Sequence, residues 1–288
     1  MRRVAVVTDS SSNLPADIVE RYAIIVVPLI LHLDGRTYRD GVDLTADEVY
    51  AYMRAHVNGA LPTTASPSPD AFLQAYAAAS RLAPEIVSIH VSSRLSGTYQ
   101  TALLASRLID VPVHVVDSRR AAMACGFMVM AAARAAAEGA DVEEVLAVIE
   151  NARKRCNFLM GLDQLYYLHR GGRVPAIAAI AGAALRLAPI LHMTDQGEVH
   201  IVSVARTRRG MINRILDLLE KRLGGMPAYI AVSHADAPDD ARAVHEEVRR
   251  RVRCLGSWIT SFTPVMGAHA GPGLIGISYY LETGNAGA

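Results

Sequence analysis

The chain has 288 residues, 51% of them hydrophobic and 20% charged, with a formal net charge of +1 and a pI near 7.8. That length exceeds most single hydrophobic cores and predicts two domains, while the near-neutral balance excludes a general polyanion binder. Of its 29 basic residues only Lys154 and Lys221 are lysines, so the positive sites are guanidinium groups, which suit planar carboxylate or phosphate partners.

The N-terminus meets Asp9 after a few apolar positions, which is unlike a signal peptide. The longest uncharged apolar runs, 121–133 and 174–185, lie between arginines and fall short of the ~20 residues a membrane helix needs. Cys125, Cys156 and Cys254 are odd in number and far apart, against both a disulfide framework and C-x-x-C zinc ligation. These features predict a protein of the reducing cytoplasm without a metal or other cofactor.

Short apolar runs at Val4–Thr8, Ile24–Leu31, Ile86–Val91 and Val113–Val116 are separated largely by helix-like segments. Runs that are apolar throughout predict buried parallel strands, hence an open α/β/α domain over residues 1–155. Leu33 to Tyr38, with its Asp34-Gly35 turn, predicts a small hairpin within it. Three polar turns fall at the carboxyl ends of the strands, where open α/β sheets bind ligands: Thr8 to Ser12, Ser92 to Thr98, and Asp117-Ser118. The second of these, containing Ser93, Ser96 and Gly97, opens a helix over 97–108. Unpartnered N–H groups and the positive dipole end at such a helix start suit an anion, although the same residues also describe an ordinary N-cap.

Pro62 to Pro69 is a polar, proline-rich stretch before a helix that starts near Asp70. Two helices follow, 121–137 and 142–153, the first rich in alanine and methionine, for which close helix packing is the commoner cause. A composition change at 151–156 marks the second domain, 156–288. There Cys156–Gly161 predicts a strand, Pro175 starts a helix, and Ile190–Met193 with Val199–Val204 forms a hairpin. Helix 207–223, strand 228–233, helix 238–254 and strands 258–263 and 274–281 complete an α/β domain with a mixed sheet. Residues 267–273 read as a glycine-rich loop carrying His269.

Chemistry is constrained by absences. The chain has no G-x-x-x-x-G-K-[ST], and neither lysine lies in a glycine-rich turn, so a P-loop kinase is excluded. A standalone hydrolase or phosphatase could assemble Ser96, His269 and Asp117, but no G-x-S-x-G elbow supports it. His234-Ala235-Asp236 with nearby acids offers metal ligands, yet reads better as a helix-capping loop. Arg249, Arg250, Arg251 and Arg253 follow Glu246 and Glu247 at helical spacing, a salt-bridged solvated face rather than a nucleic-acid site. Arg170 and Arg173 flank a double glycine, and Arg206 sits where a strand passes into a helix.

In order, Thr8-Asp9-Ser10, Pro62 to Pro69, Ser93 to Gln100, Leu168-His169-Arg170-Gly171-Gly172-Arg173, Val204 to Arg208 and His269-Ala270-Gly271-Pro272-Gly273 closely resemble the DegV family. The resemblance spans nearly the whole chain. It implies a two-domain protein that buries one long-chain fatty acid between its domains and performs no chemistry alone. A separate kinase subunit phosphorylates the carboxylate, and the acyl phosphate feeds phospholipid synthesis, with transient contact at a membrane surface. By motif, Thr64, Ser96, Gly97 and nearby Ser93 are implied to hold the carboxylate, with His269 close by. Arg170, Arg173 and Arg206 are implied to face the kinase subunit or neutralise the phosphoryl group. One departure stands out: the family's usual Thr-Ser-Gln-Pro-Ser is Thr64-Ala65-Ser66-Pro67-Ser68 here.

Overall fold

The computed structural model describes residues 2–56, 59–162, 166–173 and 187–282; the helix expected from Pro175 lies outside them. In chain order the first half runs β1 (Val4–Asp9), α1 (Ala16–Arg21), β2 (Ile25–Val27), β3 (Ile30–Leu33), β4 (Arg36–Arg39), α2 (Ala46–Ala55), β5 (Thr63–Ala65) and α3 (Pro69–Ala79). It continues with β6 (Glu85–His90), α4 (Thr98–Ser106), β7 (Val113–Asp117), α5 (Ala122–Ala137) and α6 (Val142–Arg155).

Strands β2-β1-β6-β7 form a four-stranded parallel sheet. Because successive side chains alternate across a strand, Val4 and Val6 join the core under α1, α5 and α6, while Ala5 and Val7 join the one under α3 and α4. Both faces are covered, which is why these strands are mainly apolar and why their buried polar members Ser88 and His90 are hydrogen-bonded to one another and to Asp9. The expected strand Ile24–Leu31 is instead two strands in different sheets. Pro28, which has no N–H and a fixed φ, stands between β2 and β3, and β3 pairs antiparallel with β4 and β5. The proline-rich stretch thus contributes β5 to a three-stranded sheet.

The second half runs β8 (Cys156–Gly161), α7 (Tyr166–Gly171), β9 (Ala188–Met193), β10 (Val199–Ala205), α8 (Arg208–Leu223), β11 (Ala228–His234), α9 (Pro238–Arg251), β12 (Cys254–Ser261), α10 (Pro264–Ala270) and β13 (Ile275–Leu281). Its six-stranded sheet has the order β10-β9-β8-β13-β11-β12. Only β11 and β12 pair in parallel, so the sheet is mixed. Helices α8 and α9 bury one face through Met211, Ile215, Leu219, Val244 and Val248. The other face meets the first half.

Two boundaries differ from the sequence expectation. Helix α9 ends at Arg251 because Val252 is extended (φ −120°, ψ 138°), and β12 begins at Cys254. The glycine-rich stretch is not a loop up to Gly271: Thr263 caps α10, Pro264 occupies its first turn, and His269 lies in its last.

The halves are fastened by buried polar groups. Arg120, 2% exposed, donates to the carbonyls of Cys156 (2.8 Å), Arg153 (2.9 Å) and Thr194 (3.2 Å). Ser92 Oγ donates to Gly197 O (2.7 Å) in the β9–β10 turn. Asp40 accepts from Ser10 Oγ (2.6 Å) and from Val265 N (2.8 Å) at the start of α10. Helix α5 packs against both sheets through Phe127 and Met128, and its alanines serve that close packing. Among the described residues no helix is long and apolar enough to cross a membrane.

Candidate functional site

A cavity of about 250 Å³ lies between the halves. Leu29, Val91 and Ala121 of the first half and Phe158, Phe262 and Val265 of the second give it apolar walls. Its polar groups are Ser11, Thr64, Ser66, Ser96, Arg173 and His269, with Gly97 at the start of α4. A mainly apolar space with a few convergent donors suits an amphiphile whose one polar end needs orientation.

Strand β5 presents Thr64, and α10 brings His269 to it: Thr64 Oγ1 and His269 Nε2 are 2.7 Å apart. The second group is hydroxylic. Ser96 Oγ is 2.7 Å from Thr98 Oγ1 and 3.4 Å from Ser66 Oγ, and it accepts from Thr98 N at 3.3 Å. Gly97 has an ordinary φ of −73°, but a Cβ there would stand 3.3 Å from Ser66 Oγ, so glycine keeps the turn close to β5. Ser66, one of the two positions where the family pattern is broken, therefore shares this polar cluster.

Burial, and to a lesser extent the Arg173 guanidinium, pull the His269 imidazole down to about 4. The ring is neutral at neutral pH and keeps one donor and one acceptor nitrogen. Its fit is close, since a Cβ on Gly171 would lie 2.7 Å from His269 Nδ1. The second glycine of Arg-Gly-Gly-Arg, Gly172, turns with φ +68°, and Arg173 then donates to Gly171 O (2.6 Å) and Leu95 O (3.4 Å). Desolvation at the cavity lowers the Arg173 pKa.

The other expected residues lie elsewhere. Ser93 does not line the cavity; its Oγ donates to Asp117 at 2.5 Å and its N–H to the same carboxylate at 3.2 Å. Arg170 is exposed and stacks over the Tyr166 ring at 5.8 Å. Val199 lines the cavity at one end of β10, whereas exposed Arg206 follows the other end, roughly 20 Å along the strand. No Ser-His-Asp relay forms from Ser96, His269 and Asp117: their partners are Thr98, Thr64 and Ser93 respectively.

Behind the wall, the buried Asp9 carboxylate accepts from Ser11 N (3.0 Å), Val91 N (3.1 Å) and His90 Nδ1 (3.0 Å). Ser11 and Val91 both line the cavity, so Asp9 fixes two wall segments at once. Ser11 belongs to a turn already marked by its position after β1. Phe158 and Phe262 carry no local signal and are brought in only by the second sheet.

Comparison with known proteins agrees with this architecture. The model of the DegV family, described as an uncharacterised protein family, matches residues 3–282. A DegV domain-containing protein of Streptomyces coelicolor is 37% identical over 278 residues, covering 96% of this chain and 98% of its own. The structure of a DegV family protein from Thermus thermophilus, described by its fatty acid binding, superposes with a TM-score of 0.91 at 32% identity, covering 97% of this chain and all of that one. Bacillus subtilis DegV, described as a fatty acid binding protein, gives 0.87 at 30% identity, covering 98% and 100%. The chain belongs to the DegV family.

Proposed function

We propose that this protein buries one long-chain fatty acid in the cavity between its halves and presents the carboxylate to a separate kinase subunit for conversion to acyl phosphate. Residues 1–155 supply the hydroxyl turns, and residues 156–288 cover the acyl chain and carry the arginines. The observation that carries the reading is the junction of apolar walls with the Thr64–His269 and Ser96–Ser66 hydroxyl clusters beside the α4 start.

In this reading Thr64 and Ser96 donate to the two carboxylate oxygens. Neutral His269, protonated at Nε2, donates to Thr64 Oγ1 and leaves that hydroxyl's proton for the ligand. Burying ~15 methylenes at ~0.8 kcal/mol each gives a gross gain on the order of 12 kcal/mol before ordering costs, enough to retain the ligand through purification. A carboxylate oxygen then attacks the terminal phosphorus of a nucleotide held by the kinase, and the nucleoside diphosphate leaves. Arg173 at the cavity, with Arg170 and Arg206 on the exterior, faces the kinase or the incoming phosphoryl charge. The reading places the protein in the cytoplasm, loading its ligand by transient contact with a membrane surface.

Mass spectrometry of ligand extracted from purified protein tests the binding step, with near one-to-one fatty acid expected. A protein that is always empty and takes up no added acid would refute it. Arg206→Ala should leave uptake nearly intact and impair phosphorylation with the kinase present, whereas Arg173→Ala, at the cavity beside His269, should weaken uptake as well. Partner-free hydrolysis lost in Ser96→Ala would instead support a standalone hydrolase.

A further inference from the structure

A sheet ends on strands whose outer N–H and C=O groups lack a ladder partner, and folds that stay monomeric shield them. Most edges of this protein are shielded. Strands β2 and β5 have three residues each, and β4 begins and ends on Arg36 and Arg39. At β7, Arg153 Nη2 donates to Asp117 O (2.9 Å). In the six-stranded sheet β10 is broken by a bulge after Ile201. The opposite edge, β12, has eight residues with neither a charge nor a proline among them. A bulge at its start leaves 256–261 in regular pairing with β11.

Phe262 N donates inward to His234 O (2.8 Å). Because peptide groups alternate from side to side along a strand, Ser257, Ile259 and Ser261 turn their N–H and C=O groups outward. Among the described residues β11 is the only strand that pairs with β12. Beside this open row Leu255 and Ile259 are 44% and 41% exposed.

The edge is its own complement. Antiparallel pairing with β12 of a second copy, about a two-fold axis at Ser257, sets Ile259 opposite Leu255 of that copy and Trp258 opposite its Gly256. The exposed apolar side chains then cover each other, and an indole covers a residue without a side chain. The indole is already fixed, stacked on Tyr229 with ring centres 6.3 Å apart. Charge fits the same arrangement. Helix α9 carries Asp239 and Asp240 in its first turn and Arg249, Arg250 and Arg251 in its last, with Arg253 following. Arg249 and Arg253 are exposed and form no ion pair among the described residues. The two-fold axis sets the α9 helices of the two copies antiparallel, so the acidic start of each meets the basic end of the other.

We propose that β12 is a self-association edge, through which two copies of this protein join their six-stranded sheets into one. A foreign strand would have to supply both the apolar and the charge match, which a second copy already holds. No residue of β12 lines the acyl cavity, so the pairing leaves that site in place.

The test is sedimentation velocity of the full-length purified protein from about 1 to about 100 μM, where a species of twice 30.9 kDa should form. Hydrogen exchange at the Ser257 and Ile259 amides should slow as it does. Ile259→Lys should weaken association at least about tenfold while the monomer keeps its thermal midpoint. Charge reversal tests the register without touching the strand. Arg253→Glu and Asp239→Lys should each weaken association several-fold, and the double variant should return to within about twofold of wild type. The proposal is overturned if wild type stays at 30.9 kDa at about 100 μM, which would leave the edge to a strand of another protein. It is equally overturned if Ile259→Lys associates like wild type, or if the double reversal restores nothing.

Discussion

His269 offers a sharp quantitative test of the site. Its imidazole sits at about 4 in the folded protein against an ordinary 6.5, because burial and Arg173 both disfavour the cation. Above the ordinary value the ring is neutral in both states and has no effect on the pH dependence of stability. As the pH falls below it, the unfolded chain takes up the proton and the folded one does not, so stability is lost progressively down to the folded value. At about pH 5 this one residue should cost the ligand-free protein about 2 kcal/mol relative to neutral pH. The assay is urea denaturation of delipidated wild type and His269→Gln at about pH 7.5 and about pH 5, taken as a double difference so that other titrating groups cancel. Wild type should lose about 2 kcal/mol more than the variant. A double difference below about 0.5 kcal/mol would mean that the ring titrates as in water, and the enclosed neutral imidazole would be refuted.

Other outcomes follow from the same contacts. Arg120→Met should destabilise the protein by about 3–5 kcal/mol in denaturant unfolding, since it strands three carbonyls, two of them across the halves; a loss below about 1 kcal/mol would deny that role. Ser96→Ala and Thr64→Ala should each weaken fatty acid binding about tenfold or more, whereas Ser93→Ala, whose hydroxyl is held by Asp117, should leave it nearly unchanged. Equal losses for all three would put the carboxylate elsewhere. Gly171→Ala should push His269 off Thr64. An NMR titration should then show the ring moving up toward its ordinary value, and an unmoved ring would show that the contact yields without cost.

Much of the frame was legible because its signals are local. Parallel strands covered on both faces must be mainly apolar, so β1, β6 and β7 stood out, as did the hydroxyl turn before α4. The errors also have local causes that sequence periodicity underweights. Pro28 divides an apolar run between two sheets, and Thr263-Pro264 starts a helix inside a stretch whose glycines suggested a loop. Residue roles were less legible than residue types: Ser93 and Ser96 are alike in the sequence, and only the strand that places Asp117 beside Ser93 separates them.

By itself, the sequence determined the α/β class, the hydroxyl turn that opens α4 and the family resemblance, because strand burial, turn chemistry and motif order are written in short windows. The tertiary structure alone decided that Thr64 and His269, 205 positions apart, touch, and that Arg206 stands away from the cavity. Those outcomes depend on how two sheets pack across α5 and Arg120, and packing between distant segments leaves no periodicity in the chain.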